Sequence, residues 1–358
     1  FDYITPKAPK GEKPYRFNWQ TPILLSSHNQ DILYMGSEFL HRSMNQGETW
    51  ERISGDLTNG AKEGNVAFGT LTTISESKFQ FGLLYAGSDD GKIHVSKDGG
   101  VSWQLISGNL PQNLWVSRVA ASTHKKERVY ATLNGYRNDV FESYAFVSED
   151  FGATWTSIST GLTEAVNVVV EDSANENILY IGTDNGLFIS IDKGANWQDF
   201  SNGMPKVAVH DLVIQTKAKE LIVGTHGRSI YKIDISKVQE LTNEVLAKNI
   251  HLFKVNDRTK SDRWGSQNYA WGKPSEPSQE IWFYSNADGV VNFTITNEIG
   301  MVVHTQKIAA KKGLNSFTYD YLLAKEDAEK WNKKDKKIKI IASENKKFYV
   351  PIGKYKGV

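Results

Sequence analysis

At 358 residues the chain is long enough to hold two or three domains with real cores. Its charge is balanced, 42 Lys+Arg against 41 Asp+Glu, which argues against nucleic acid as the main partner. The absence of cysteine removes disulfides, thiolate chemistry and Cys-based zinc sites, and no apolar run approaches the ~18 residues that span a bilayer as a helix.

Ten Trp, 15 Tyr and 16 Phe beside 29 Gly suggest many short strands joined by tight turns. Residues 1–14 read as an extended segment. Starting at Phe1-Asp2-Tyr3 and ending in a strand-like "YVPIGKYKGV", the chain reads as a piece of something longer. From residue 15 to 236 the dominant feature is repetition. A polar octet recurs four times: "SMNQGETW" with Ser43, Asn45, Gly47 and Trp50; "SKDGGVSW" with Ser96, Asp98, Gly100 and Trp103; "SEDFGATW" with Ser148, Asp150, Gly152 and Trp155; and "SIDKGANW" with Ser190, Asp192, Gly194 and Trp197. The serines lie 53, 52 and 42 residues apart. Each octet follows an apolar run, "ILYMGS", "LLYAGS", "VYATL" or "ILYIGT", and precedes a short alternating run such as "ERIS" or "QLIS". A fifth copy, "LIVGTHGRSIYKIDIS", keeps the strand and turn but lacks the Gly and Trp.

Within each unit the pattern reads as four antiparallel strands. The dipeptides Asp90-Gly91, Asn134-Gly135 and Asn185-Gly186 suit the positive φ values of a tight type I′ hairpin between the second and third. Four strands in roughly 40–50 residues describe a β-propeller blade. The octet itself reads as structural. Its Asp or Asn closes an Asx-type turn, its Gly permits a left-handed backbone, and its Trp packs on the neighbouring sheet. A cation site is the minor alternative, and Asn45 shows that the carboxylate is dispensable in one copy.

The octet Ser-x-Asp-x-Gly-x-x-Trp resembles the Asp-box, or BNR repeat, of sialidases, two-propeller xyloglucanases and the sortilin (VPS10) ectodomain. The linking text, including "YRFNWQTPILLSSHNQDILYMGS" and "GYRNDVFESYAFVSEDFGATW", is similar to bacterial VPS10/BNR-repeat proteins labelled glycosyl hydrolase. The resemblance covers residues 15 to about 236. It implies an extracellular or cell-surface, bacterial-envelope propeller with a glycan or protein ligand, or a place in an envelope complex. Five visible repeats either close a small ring or form the C-terminal part of a larger array, and similar proteins are longer, with further repeats before this segment.

A propeller site is expected where the innermost strands begin, at the mouth of the central channel. Aligned repeats place Thr21, Thr72, Ser117, Asn167 and the pair His210-Asp211 in one polar column. Trp115, Arg118, the insertion Tyr136-Arg137-Asn138-Asp139, His226 and Arg228 stand near it. Such aromatic, Arg and amide groups could bind sugar; the plainer reading is that they only solvate the channel. Hydrolysis would need two carboxylates about 5–10 Å apart. Glu76, Asp139, Glu142, Glu171, Asp172, Asp184 and Asp211 are candidates, with no pair singled out. Arg118, Arg137 and Arg228 could form a sialidase-like triad, but the Arg-Ile-Pro entry motif is missing. Eight His offer no H-x-x-x-H or H-x-H pair, and there is no P-loop. No metal or cofactor is expected.

Residues 237–248 carry Val238, Leu241, Val245 and Leu246 at helical spacing and read as a helical linker. Residues 249–358 alternate apolar and polar between Gly and Asn turns, as a small β-sandwich would. The run "VVNFTITNEIGMVVHTQ" is similar to Ig-like modules that follow propellers in secreted bacterial proteins. "AKEDAEKWNKKDKKIK" (324–339) reads as a solvated helix or insertion, with a basic contact surface as the alternative.

Overall fold

A computed structural model describes residues 3–64, 67–201, 203–267, 269, 271–335 and 338–358. Phe1 and Asp2 of the N-terminal segment, and Lys336 and Lys337 of the charged run, lie outside the described residues. The chain divides into two units, Phe1–Gln239 and Glu240–Val358.

The first unit is a succession of antiparallel sheets. Blade 1 comprises β1 (Ile23–Leu25), β2 (Leu33–Gly36), β3 (Leu40–Ser43) and β4 (Glu51–Arg52). Blade 2 comprises β5 (Leu71–Glu76), β6 (Leu84–Ser88), β7 (Ile93–Ser96) and β8 (Gln104–Leu105). Blade 3 comprises β9 (Trp115–Ala121), β10 (Val129–Gly135), β11 (Val140–Ser148) and β12 (Thr156–Ser157). Blade 4 comprises β13 (Val166–Glu171), β14 (Leu179–Thr183), β15 (Gly186–Ser190) and β16 (Gln198–Asp199). Blade 5 has three strands, β17 (Val209–Gln215), β18 (Glu220–Thr225) and β19 (Ile230–Asp234). The all-β propeller expected from the repeats is what forms.

The core lies between blades. Tyr34 and Ile53 of blade 1 share a cluster with Leu71 and Leu84 of blade 2. Tyr85 and Val95 meet Val116 and Val119 of blade 3, and Tyr130 and Ile158 meet Val166 and Val169 of blade 4. In blades 1, 2 and 4 the second strand carries a glycine (Gly36, Gly87, Gly182) because the next blade's first strand presses on it. A Cβ on Gly87 would meet Val116 at 2.6 Å, and one on Gly182 would meet Val209 at 2.6 Å.

The recurring octet forms one turn in all four copies. Ser96 Oγ donates to Asp98 and accepts from the Gly100 N–H, while Asp98 accepts from the Ser102 N–H and hydroxyl. Asn45 accepts the equivalent bonds from Ser43 and Thr49, which explains why an amide suffices there. The Trp reaches back to the preceding blade: the indole N–H of Trp103, Trp155 and Trp197 donates to the carbonyl of Ile53, Ile106 and Ile158 at 2.9, 2.8 and 2.6 Å. The Gly has a second reason beyond its φ near +90°. A Cβ on Gly100 or Gly194 would lie 2.8 Å from the Cβ of Ile53 or Ile158, so the same isoleucine excludes a side chain.

The hairpin expectation needs correction. A type I′ turn requires positive φ at both central residues, and of the three dipeptides only Gly91 and Gly186 have it. Thr183 pairs with Gly186, so the two-residue turn in blade 4 is Asp184-Asn185, one position earlier than expected. Asn134 and Gly135 lie inside β10, and the chain reverses through a 3-10 turn at Tyr136–Asn138.

In the second unit β20 (Ile250–Leu252), β21 (Gln279–Ser285) and β24 (Gly313–Tyr319) form one sheet, and β23 (Val302–Ala310), β22 (Gly289–Asn297) and β27 (Tyr355–Gly357) a second. A two-stranded sheet pairs β25 (Leu322–Leu323) with β26 (Phe348–Tyr349). Ile281, Phe283, Phe293, Ile295 and Ile308 pack together in one core. The charged run forms a helix, Lys325–Lys334, that buries Ala328 and Trp331 in that core, so one face of it is structural rather than solvated. The linker residues form two single turns, Ser236–Gln239 and Asn243–Leu246, instead of one helix.

Burial also fixes an acid response. His41 is 1% exposed among the rings of Tyr15 and Phe39, and burial holds its pKa down to about 4. An unfolded His titrates near ~6.5, so between that pH and about 4 the unfolded chain takes up a proton that the folded one refuses. Stability therefore falls as the pH drops through this window, by about 3 kcal/mol for His41. His94, also lowered to about 4 by burial, acts in the same direction. Thermal unfolding between pH 7 and 4 should show this slope, and His41→Phe should flatten it; an unchanged slope would refute the assignment.

Candidate functional site

The polar column at the starts of the inner strands is a column of β-bulges. Register slips between Leu71 and Thr73, between Val166 and Val168, and between Val209 and Asp211 leave Thr72, Asn167 and His210 as the extra residues. In blade 3, Thr132 opposes Arg118 while Leu133 opposes Val116, which leaves Ser117 as the extra one. A bulge re-aims the side chain of its extra residue away from the regular alternation. Four successive blades therefore turn a polar group out of the sheet at the same level.

Two of these groups tie blades together. Thr72 Oγ1 donates to the Val116 carbonyl at 2.6 Å, and Ser117 Oγ donates to the Val166 carbonyl at 3.0 Å. Asn167 is enclosed between Asn134, whose amide donates to it at 2.7 Å, and Asp184, to which it donates at 2.8 Å. Arg118 and Asp211 pair with each other across blade 4, and the guanidinium Nε stays buried without a partner. His210 packs against His226 with ring centroids 5.3 Å apart. Burial and the neighbouring His226 lower its pKa, against the opposing pull of Asp184. Tyr136 and Arg228 are exposed.

Beside this cluster opens a cleft of about 620 Å³. Trp115, at the start of β9, forms part of its wall, with the Arg137 guanidinium 4.0 Å over the indole. Asn18, Asn113, Asn134 and Asn138 supply amides, and Trp19 projects with 90% of its surface exposed. Lys62, placed over the Phe68 ring at 3.9 Å, closes another side. Of the expected ligand-binding residues, Trp115 and Arg137 line the cleft, together with Asn138 of the same insertion; the others lie outside its lining. Asn18, Trp19, Lys62, Phe68, Asp89 and Asn113 were not expected. A signal for part of this set exists: counted from the Leu-Tyr-x-Gly run, Glu38, Asp89, Asn134, Asp184 and His226 occupy one offset, the corner between second and third strands.

The candidate carboxylates sort by position. Glu76, Glu171 and Asp172 lie at or just beyond the far ends of β5 and β13, away from the bulges, and are spent on structure. Glu76 accepts from Ser26, Tyr34 and the Gly82 N–H. Asp172 accepts from the Ala174 and Asn175 N–H groups and the Gln239 amide. Among the described residues, Asp89 and Glu63 alone line the cleft with a carboxylate. Asp89 is held by the N–H groups of Gly69 and Thr70 and by the Thr70 hydroxyl, and burial raises its pKa in spite of these bonds. Among the described residues no group of three or more His, Asp or Glu is placed to hold a metal, and no helix is long and apolar enough to cross a membrane.

The family model for Sortilin-Vps10 (sortilin, neurotensin receptor 3) matches residues 38–164, from the turn between β2 and β3 through blades 2 and 3. An ancestral GH74 enzyme superposes with a TM-score of 0.50 at 14% identity, over 83% of this chain and 39% of that one. The first unit is a β-propeller. The GH74 xyloglucanase from Xanthomonas campestris is also similar, at 13% identity and a TM-score of 0.49, over 89% of this chain and 48% of that one. So is YCF48 bound to D1 peptide, at 14% identity and 0.43, over 63% and 66%. No curated protein matches the chain. The chain thus spans about two fifths of the GH74 structure it matches first.

Proposed function

We propose that the propeller is a recognition module that takes a glycan across the Trp115 cleft, at the channel mouth, and works at the cell surface or as a secreted protein. The exposed Trp19 indole beside the Trp115–Arg137 stack, with the Asn113 amide next to them, carries this reading; the amides of Asn18, Asn134 and Asn138 are already bonded within the protein. An indole face accepts the C–H face of a sugar ring, and amides both donate and accept toward its hydroxyls. Location outside the cytoplasm rests on the likeness to sortilin-type propellers. Binding is favoured over hydrolysis because Asp89, one of the two carboxylates in the cleft, already accepts three hydrogen bonds.

A glycan array followed by calorimetry on the best hit tests the proposal. Trp115→Ala should weaken binding by about 2 kcal/mol or more, roughly thirtyfold in Kd. Trp19→Ala, at a side chain too exposed to matter for folding, should weaken it without moving the melting temperature. Absence of any glycan ligand, or full affinity in both variants, would defeat the glycan reading and leave a protein ligand.

A further inference from the structure

Two of the aromatic rings that line the cleft carry a cation. The Arg137 guanidinium lies 4.0 Å over the Trp115 indole, and the Lys62 ammonium lies 3.9 Å over the Phe68 ring. The face of a ring that holds a cation is closed to a sugar, and what a ligand meets there is the charge. Trp19 is the third ring of the lining; it is 90% exposed and carries no such cap among the described residues.

Both cations keep their donors. The N–H groups of a guanidinium lie in its own plane, so contact through the flat side leaves them free, a pair of them able to grip one carboxylate or sulfate together. An ammonium over a ring likewise keeps N–H groups pointing away from it. Both side chains are exposed to solvent.

The protein itself does not answer these charges. Residues 1–239 hold 22 Lys and Arg against 27 Asp and Glu, so carboxylates are in excess. Of the seven arginines in this unit, Arg16, Arg42, Arg52, Arg118 and Arg128 each pair with a carboxylate. Among the described residues Arg137 and Lys62 have no ion-pair partner. Glu63, in the same lining, pairs with neither, and Asp89 is held by Gly69 and Thr70. An acidic propeller thus keeps two unmatched cations on opposite rings of one cleft.

We infer that the ligand of this cleft is an acidic glycan, one whose sugar rings bear carboxylate or sulfate groups, an inference that rests on the glycan reading and narrows it. Arg137 and Lys62 receive the charges, and Trp19 supplies the bare ring face. A neutral sugar would leave both cations unused.

Calorimetry with polygalacturonate and dextran sulfate, each beside its uncharged counterpart (carboxyl-reduced polygalacturonate and dextran), tests this. At least one charged polymer should bind at least about tenfold more tightly than its counterpart, the margin expected for a hydrogen bond to a charged group. The order of the two charged polymers tells carboxylate from sulfate, and either order supports the inference. Arg137→Gln with Lys62→Gln should abolish the margin and leave the melting temperature where it was. Two results would overturn the inference and spare the glycan reading. One is a neutral glycan bound as tightly as its charged counterpart. The other is a charged polymer bound undiminished by the double variant, which would place it elsewhere, as on the second unit, where 20 Lys and Arg face 14 Asp and Glu. Failure of every glycan, charged and neutral, would end both.

Discussion

Glu171→Ala is expected to cost about 3–5 kcal/mol of stability, because it strips the central acceptor from a buried ionic cluster. Glu171 is 5% exposed and accepts from the Arg128 guanidinium at 3.1 Å, the Tyr130 hydroxyl at 2.9 Å, the Ser122 hydroxyl at 2.7 Å and the Thr123 N–H at 2.6 Å. These donors come from blade 3 and the carboxylate from blade 4, so the cluster is a polar weld between neighbours. After truncation the Tyr130 hydroxyl and the Thr123 N–H lose their acceptor, and Arg128 keeps only the half-exposed Glu149 and Glu176. Glu171→Gln, which retains shape and one acceptor, should cost less. Glu76→Ala in the equivalent place between blades 1 and 2 should also cost less, since no arginine is bonded to Glu76. Urea unfolding of the three variants gives the order directly; a Glu171→Ala loss no larger than that of Glu76→Ala would refute the role of the buried charge.

The second large effect is at Trp103. Its ring packs on the blade 1–blade 2 cluster and its N–H holds the Ile53 carbonyl. Trp103→Ala should cost about 3–5 kcal/mol. Trp103→Phe keeps most of the ring and loses the hydrogen bond, worth about 1 kcal/mol. Neither change should alter affinity at the cleft, because no residue of the turn lines it. Loss of ligand binding at full stability would show that the turn does more than join blades. Asp98→Asn is the complementary case: Asn45 already performs that part in blade 1, so the fold should persist with a small loss.

Much of this fold is legible in the sequence because each blade must solve the same packing problem. The octet, the small residue of the second strand and the buried tyrosines Tyr34, Tyr85, Tyr130 and Tyr180 recur since each faces an equivalent neighbour. The site is less legible, and the reason is specific. Whether a polar side chain is free depends on what crosses it in space. Arg118 meets Asp211, 93 positions away, and Thr72 spends its hydroxyl on a carbonyl 44 positions away. No local pattern announces either bond. The cleft also draws on residues outside the strands, such as Asn18 and Lys62, which have no counterpart at a fixed offset in the other repeats. The helix at Lys325–Lys334 shows the same limit: two buried residues, Ala328 and Trp331, suffice to seat a segment that composition alone marks as solvated.

The bulges have a consequence for how such a protein can change. A bulged residue contributes nothing to the alternation that keeps a strand in register, so its side chain can be exchanged without shifting its neighbours. Here the four positions already hold a hydroxymethyl, a methylated alcohol, an amide and an imidazole on one backbone geometry. At three of the four that freedom is already spent: Thr72 and Ser117 bond carbonyls of the next blade and Asn167 joins Asn134 to Asp184, so exchange there keeps the strand register and costs a tie between blades.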